Sequence, residues 1–148
     1  MIARRTRAGL AGVVLLASLL TACGGNDGYC DRVQDHQAEV GSAIRNSDPT
    51  GALQLLPAFQ DLQAAAPDDV RDDYQLLVTR ITALRSALDD AGVDPSSYDP
   101  QHPPAGLSAE DRAVIRRAAA RLAASDTQQA LTNVQQEVLD VCHTPVEM

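Results

Sequence analysis

The chain has 148 residues, a formal net charge of −8, and 45% hydrophobic but only 3% aromatic residues. That length fits one domain. An acidic protein repels nucleic acid and anionic lipid headgroups, and few aromatic side chains are present to stack on sugars or single-stranded nucleic acid. The composition therefore argues against sugar-binding and nucleic-acid-binding proteins.

The first 20 residues have the pattern of an export signal. Arg4, Arg5 and Arg7 form a basic start without acids, and an apolar run over residues 8–20 follows. A helix of about 13 residues is about 20 Å long, whereas the hydrocarbon core of a bilayer is about 30 Å thick. The run therefore predicts the core of a signal peptide rather than a permanent membrane span.

The apolar run ends in Leu20-Thr21-Ala22-Cys23, which resembles the lipobox of bacterial lipoproteins. In that family a peptidase cuts before the cysteine, whose thiol carries a diacylglycerol. The resemblance implies that residues 1–22 are a cleaved signal peptide and that Cys23 carries the lipid, with no other cofactor. It also implies an extracytoplasmic protein, anchored to the outer face of the cytoplasmic membrane. An ordinary secretory signal and a retained transmembrane helix are the alternatives.

Lipidation of Cys23 would leave Cys30 and Cys142 as the remaining cysteines. In an oxidising compartment such a pair predicts a disulfide, which would close a loop of about 110 residues. Two free thiols, or a metal site that uses the adjacent His143, are the alternatives. The spacings typical of metal ligands, CxxC and HxxxH, do not occur around these residues.

Processing would also define the layout of the mature chain. Residues 23–28 would be a lipidated cysteine and a Gly-rich tether that reaches less than about 20 Å when extended. Residues 29–145 would form a single domain. Since residues 1–22 hold three Arg and no acid, their removal would change the net charge from −8 to −11.

Apolar residues repeat at spacings of three and four along this domain, which indicates amphipathic helices. The first predicted helix covers residues 29–46. Asp48 and Pro49 predict a second start, and Pro57 is expected to kink or split the helix that follows. A third helix, predicted from Pro67, carries the longest apolar stripe: Val70, Tyr74, Leu77, Ile81, Leu84 and Leu88.

Four aspartates cluster at the start of this third helix: Asp68, Asp69, Asp72 and Asp73. We interpret them as charges that complement the helix dipole. A cation site is the alternative.

Gly92 is predicted to end the third helix, because glycine readily adopts the left-handed conformation found there. Segment 92–107 contains four prolines and is predicted to be one long, semi-extended crossover loop. It holds Tyr98 and His102, which are candidate partner-facing residues.

Ser108 is predicted to cap a helix over residues 109–124, with Val114 and Ile115 facing inward. A change of phase after that segment predicts a last helix over residues 127–142. The helix at 109–124 carries the one basic patch, which we expect to pair with the abundant carboxylates, an acidic partner being the alternative. The patch consists of Arg112, Arg116, Arg117 and Arg121.

No useful length of chain alternates with period two, so the sequence predicts an all-α fold. We expect an antiparallel bundle of four to five helices, closed by the Cys30–Cys142 disulfide, with the first and last helices as neighbours. Two arrangements remain for the helix at 109–124. Either it packs antiparallel to the last helix, with the 92–107 loop crossing the length of the bundle, or it lies across one end.

The chain also resembles small uncharacterised actinobacterial lipoproteins, in segments Pro67–Asp69, Ala91–Pro95, Pro103–Ser108 and Val141–Pro145. That group carries no established activity, so the resemblance implies no chemistry.

The sequence shows no catalytic motif, and His36, His102 and His143 are isolated along the chain. We therefore expect no enzyme. The main expectation is a membrane-anchored interaction or binding module of the cell envelope with a protein partner there. The alternative is a lipoprotein that binds a small ligand or a cation through the 92–107 loop and the aspartates of 68–73.

Overall fold

The computed structural model describes residues 26–45 and 51–144, apart from the side chains of residues 27, 44 and 45. Regular structure in these ranges is helical throughout, and this confirms the predicted fold class. The predicted export signal, Cys23 and the predicted helix start at Asp48 and Pro49 lie outside the described residues. The helices are α1 (Asp27–Arg45), α2 (Gly51–Gln54), α3 (Leu56–Ala65), α4 (Arg71–Asp90), α5 (Ala109–Leu122) and α6 (Ser125–Cys142).

Four helices form the bundle. α1 packs against α3 and α6, and α4 packs against the same two helices from the opposite corner. The Cys30–Cys142 disulfide joins the start of α1 to the end of α6, so these neighbours are antiparallel as predicted. α4 and α6 are antiparallel too, because Asp73 contacts Asn133 and Arg80 contacts Asp126.

The apolar stripe of α4 fills the centre of the bundle. Its six predicted members are all buried, and Tyr74 and Leu88 have no exposed surface. Each large apolar side chain removed from water stabilises a fold by about 1.5–3 kcal/mol, so this stripe is a main source of stability. α3 contributes Phe59 and Leu62, and α6 contributes Val134.

The two ends of the long loop follow the predicted capping chemistry. At Gly92 (φ +69°) the chain turns left-handed, and the N–H of Val93 donates to the carbonyl of Leu88 at 2.9 Å. Such a turn satisfies carbonyls that the helix end leaves free. Ser108 caps α5, since its hydroxyl accepts from the N–H of Asp111 at 3.0 Å.

Several predicted boundaries are wrong by a few residues. α1 begins at Asp27 and α6 at Ser125, each two residues earlier than predicted. Pro67 starts a turn, closed by the N–H of Val70 on its carbonyl at 3.3 Å, and α4 begins only at Arg71. Pro57 does split its helix, since α2 ends at Gln54 and α3 begins at Leu56. Pro57 lies in the first turn of α3, where a backbone N–H would have no acceptor within the helix, so proline costs nothing there.

α5 packs against α4, outside the four-helix core. It does not pack along α6 within the described residues, although only Ala123 and Ala124 separate the two helices. The arrangement that pairs the two helices is therefore wrong. Val114 is 38% exposed rather than turned inward, and the contact with the core rests on Ile115 and Ala118.

Candidate functional site

The basic residues of α5 are the most distinctive surface feature of the described chain. Their side chains are all exposed, and none forms an ion pair or hydrogen bond with a described residue. The expectation that they pair with carboxylates of the chain is therefore wrong for the described residues. We call this surface the arginine face, and it consists of Arg112, Arg116, Arg117 and Arg121.

The remaining arginines whose side chains the structure describes are all paired with aspartates. Two of these pairs join different helices and two lie within a turn or a helix. They are Arg32–Asp61, Arg80–Asp126, Arg71–Asp68 and Arg85–Asp89. The acids of α5 are confined to its first turn, where Asp111 is held by Ser108, so the later turns of the helix offer no local carboxylate.

Helical geometry divides the arginine face into two rows. At about 100° per residue, Arg112 and Arg116 project on one side, and Arg117 and Arg121 on the other. Within a row the side chains are four residues apart, or about 6 Å along the helix axis. Ala120 is exposed between the rows, so only a methyl group separates them on the surface.

The acidic cluster at the start of α4 does not form a common site. Asp68 pairs with Arg71, and Asp73 accepts from the side-chain amide of Asn133 at 3.1 and 3.2 Å. Asp72 and Asp73 are the members that lie in the first turn of α4 and face its dipole. Across the described ranges, no group of three or more His, Cys, Asp or Glu side chains is placed to hold a metal ion.

Two Asp-Pro turns shape the first part of the long loop. Asp94 accepts from the N–H of Ser96 at 2.9 Å, and Asp99 accepts from the N–H of Gln101 at 2.8 Å. The pKa of the Asp94 carboxyl is lowered mainly by the N–H of Ser96. The pKa of the Asp99 carboxyl is lowered mainly by a hydrogen bond to the His102 ring, and next by the N–H of Gln101. Both carboxylates thus serve the loop's own structure.

The two candidate partner-facing residues of the loop differ. His102 is exposed, with its Nδ1 2.7 Å from Asp99 Oδ2. Tyr98 is 9% exposed, so little of its side chain is available to a partner. Its ring lines a small cavity of about 80 Å³ together with Leu107 and Arg116. The loop therefore packs on the core beside the arginine face instead of standing free.

His36 is not the isolated residue that the sequence suggests. Its Nε2 lies 3.0 Å from Asp61 Oδ2, and its Nδ1 lies 3.6 Å from a Glu39 oxygen. Asp61 also forms an ion pair with the Arg32 guanidinium, which donates a hydrogen bond to its carboxylate. This half-buried group joins α1 to α3, and sequence spacing could not find it because Asp61 lies 25 residues further along the chain.

An apolar cavity of about 280 Å³ lies between the helices near the start of α6. Ligand pockets usually measure about 300–1,000 Å³, so this cavity is just below that range. The sequence pattern does not indicate this cavity, because the packing of six helices creates the space. Its lining includes Val40, Ala52, Phe59, Ile81, Leu122 and Leu131.

No protein-family model, curated protein or solved structure matches the chain. Within the described residues, no helix combines the length and the hydropathy that a membrane span requires. The function has to be inferred from the surfaces themselves.

Proposed function

We propose that the chain is a bacterial lipoprotein, anchored through lipid on Cys23 at the outer face of the cytoplasmic membrane. Its helical bundle would act there as a binding module, not as an enzyme. The Cys30–Cys142 disulfide supports the compartment, because structural disulfides persist mainly outside the cytoplasm. The disulfide also uses two of the three cysteines, so Cys23 is left for the lipid.

The observation that carries the binding function is the arginine face. Four exposed guanidinium groups without partners stand on a protein whose other described arginines are all paired. Exposed arginine is favoured at protein interfaces, where it binds carboxylates through two parallel hydrogen bonds. A catalytic site, by contrast, needs converging polar groups in a cleft, and the cavity between the helices is lined mainly by apolar side chains.

Processing of the Cys23→Ala variant tests the anchor. We expect wild-type protein in the membrane fraction, labelled by a metabolic fatty acid probe and shortened by the signal peptide. The variant should accumulate as an unlabelled precursor of full length. Normal cleavage and membrane retention of the variant would contradict the lipoprotein assignment.

The apolar cavity favours a second candidate function, the binding of a small apolar ligand. An apolar cavity of about 150 Å³ is enough to hold benzene, so a compact hydrocarbon would fit here. We expect benzene or indole to shift the NMR signals of the Ala43 and Ala52 methyl groups, which line the cavity. Ala52→Leu should abolish the shift by filling the space, whereas Ala64→Leu, at an exposed position of α3, should preserve it. Absence of any shift in the wild type would remove this candidate.

A further inference from the structure

We propose that the arginine face docks an acidic helix of another protein, one that presents carboxylates four residues apart. The inference rests on the proposed function in one respect, since the membrane anchor sets the orientation of the domain. The binding surface itself depends only on α5.

The spacing of the arginines matches a helical partner. Arg112 and Arg116 are one helical turn apart, and so are Arg117 and Arg121. Glu or Asp residues four apart on another helix have the same rise of about 6 Å, so two carboxylates can meet two guanidinium groups of one row at once. Each row then forms two adjacent ion pairs with the partner helix. Two adjacent ion pairs fix the position of the partner better than a single exposed ion pair does.

The apolar part of the same surface favours a protein over a phosphate polymer. Val114, at 38% exposure, is one of two large hydrophobic side chains of the described residues that are exposed, and it follows Arg117 and Arg121 around the helix. Protein interfaces combine arginine with apolar contact, whereas a phosphate chain offers nothing for Val114 to bury against.

The proposed anchor argues against the protein's own membrane as the occupant. The tether leaves from the disulfide end of the bundle. α6 has 18 residues, so its start, next to Arg121, lies about 26 Å from that end. The mature chain would also carry a net charge of −11, which repels anionic headgroups.

A second copy of the chain is also disfavoured. The exposed acids at the start of α4 are the natural counterpart, and Asp69 lies close enough to Glu137 to affect its pKa. Glu137 is about 18 Å along α6 from the α5 end of that helix. Two copies anchored in one membrane would hold their acidic clusters and arginine faces at different heights, so a different protein is the better fit.

The test uses the mature lipidated protein in phosphatidylcholine nanodiscs. The probe is a fluorescent alanine-rich helical peptide with two pairs of glutamates, each pair four residues apart. A control peptide has the same composition, but its glutamates lie on opposite faces. Binding is measured by anisotropy at low and at physiological ionic strength. The protein variants are Arg117→Gln/Arg121→Gln and the charge-matched control Arg71→Gln/Arg85→Gln, whose arginines are exposed but lie outside α5.

We expect the paired peptide to bind wild type and to weaken with salt. The α5 variant should bind it roughly tenfold less tightly, and the control variant no more than about twofold less tightly. Circular dichroism must show both variants folded. Should the α5 variant unfold, Arg117→Lys/Arg121→Lys replaces it, and the expected loss is then severalfold because lysine cannot form the bidentate contact.

Four results would overturn the proposal. They are equal affinity for the two peptides, equal loss in the two variants, α5-dependent binding of polyphosphate or phosphatidylglycerol vesicles in place of the peptide, and α5-dependent self-association in sedimentation. The Cys23→Ala protein separates this proposal from the proposed function. It should bind the peptide as wild type does even if the protein proves not to be a lipoprotein.

Discussion

The hydroxyl oxygens of Tyr29 and Tyr74 lie 2.8 Å apart across the diagonal of the bundle, between α1 and α4. Both side chains are fully buried, and their rings meet edge to face with centroids 6.2 Å apart. Burial raises the pKa of both hydroxyls, so the pair stays neutral across the physiological range. One hydrogen bond thus links two helices that make little other contact.

Removal of both hydroxyls should destabilise the protein by less than the two single removals together. Tyr74→Phe leaves the Tyr29 hydroxyl buried without its partner, which costs about 1–3 kcal/mol. Tyr29→Phe/Tyr74→Phe removes the polar pair altogether and should be less destabilising than the sum of the two single changes. Urea denaturation of the four proteins measures this coupling. Additive effects would show that the hydrogen bond contributes nothing specific.

Gly92→Ala should lower stability by about 1 kcal/mol, because a β-carbon is strained at a φ of +69°. Space is not the reason, since an added β-carbon would meet no atom within 4 Å. Gly106→Ala is the matched control, as that site is equally open and its φ is not left-handed. Its melting temperature should equal or exceed that of wild type. A similar loss at both glycines would mean that the loop responds to something other than backbone strain.

Loss of the disulfide should destabilise the bundle strongly. Cys30 and Cys142 are 112 residues apart, so their bond restricts the unfolded chain by up to about 4–5 kcal/mol. We expect a reductant to lower the melting temperature of wild type and to leave Cys30→Ser/Cys142→Ser unchanged. A wild type that is insensitive to reductant under conditions that open the bond would contradict this role.

Glu137→Gln should stabilise the fold at neutral pH and not at acid pH. Burial, together with the charges of Asp69 and Asp140, raises the pKa of Glu137 above its ordinary value of 4.5. An acid with a raised folded pKa makes the fold less stable as the pH climbs above its unfolded pKa, and that penalty is absent at lower pH.

The side chain of Glu137 is partly exposed, so the gain should not exceed about 0.5 kcal/mol at pH 7 and should vanish below about pH 4. Glu110→Gln is the control. Its charge faces the positive end of the α5 dipole, so its loss should reduce stability slightly. A gain in both variants would point to net charge instead of burial.

The helices and their caps were accessible from the sequence, because each depends on neighbours in the chain. Gly92 needs only its own backbone freedom, and Ser108 needs only the N–H of Asp111. The disulfide was accessible through cysteine counting. The stripe of α4 was accessible because every third or fourth residue of it faces the same core.

The arginine face was misjudged because ion pairing depends on tertiary placement. Net composition suggests that a carboxylate is always near, yet Asp126 is paired with Arg80, and among the described helices α5 packs mainly against α4. The apolar stripe of α5 is narrow, consisting of Ile115 and Ala118, and its sequence does not indicate which helix it packs against. The pair of Tyr29 and Tyr74 was equally hidden, since 45 residues separate its members.

The disulfide also sets the route by which the domain carries mechanical load. A partner that pulls on α5 transmits force through the two-residue joint into α6, and from Cys142 across the sulfur bond to Cys30, next to the proposed anchor. That route is covalent and leaves out residues 31–108, so of the first four helices it includes only the first residues of α1. With the bond intact, residues 31–108 carry none of the tension between α5 and the proposed anchor, whereas reduction of the bond would place them in the loaded path.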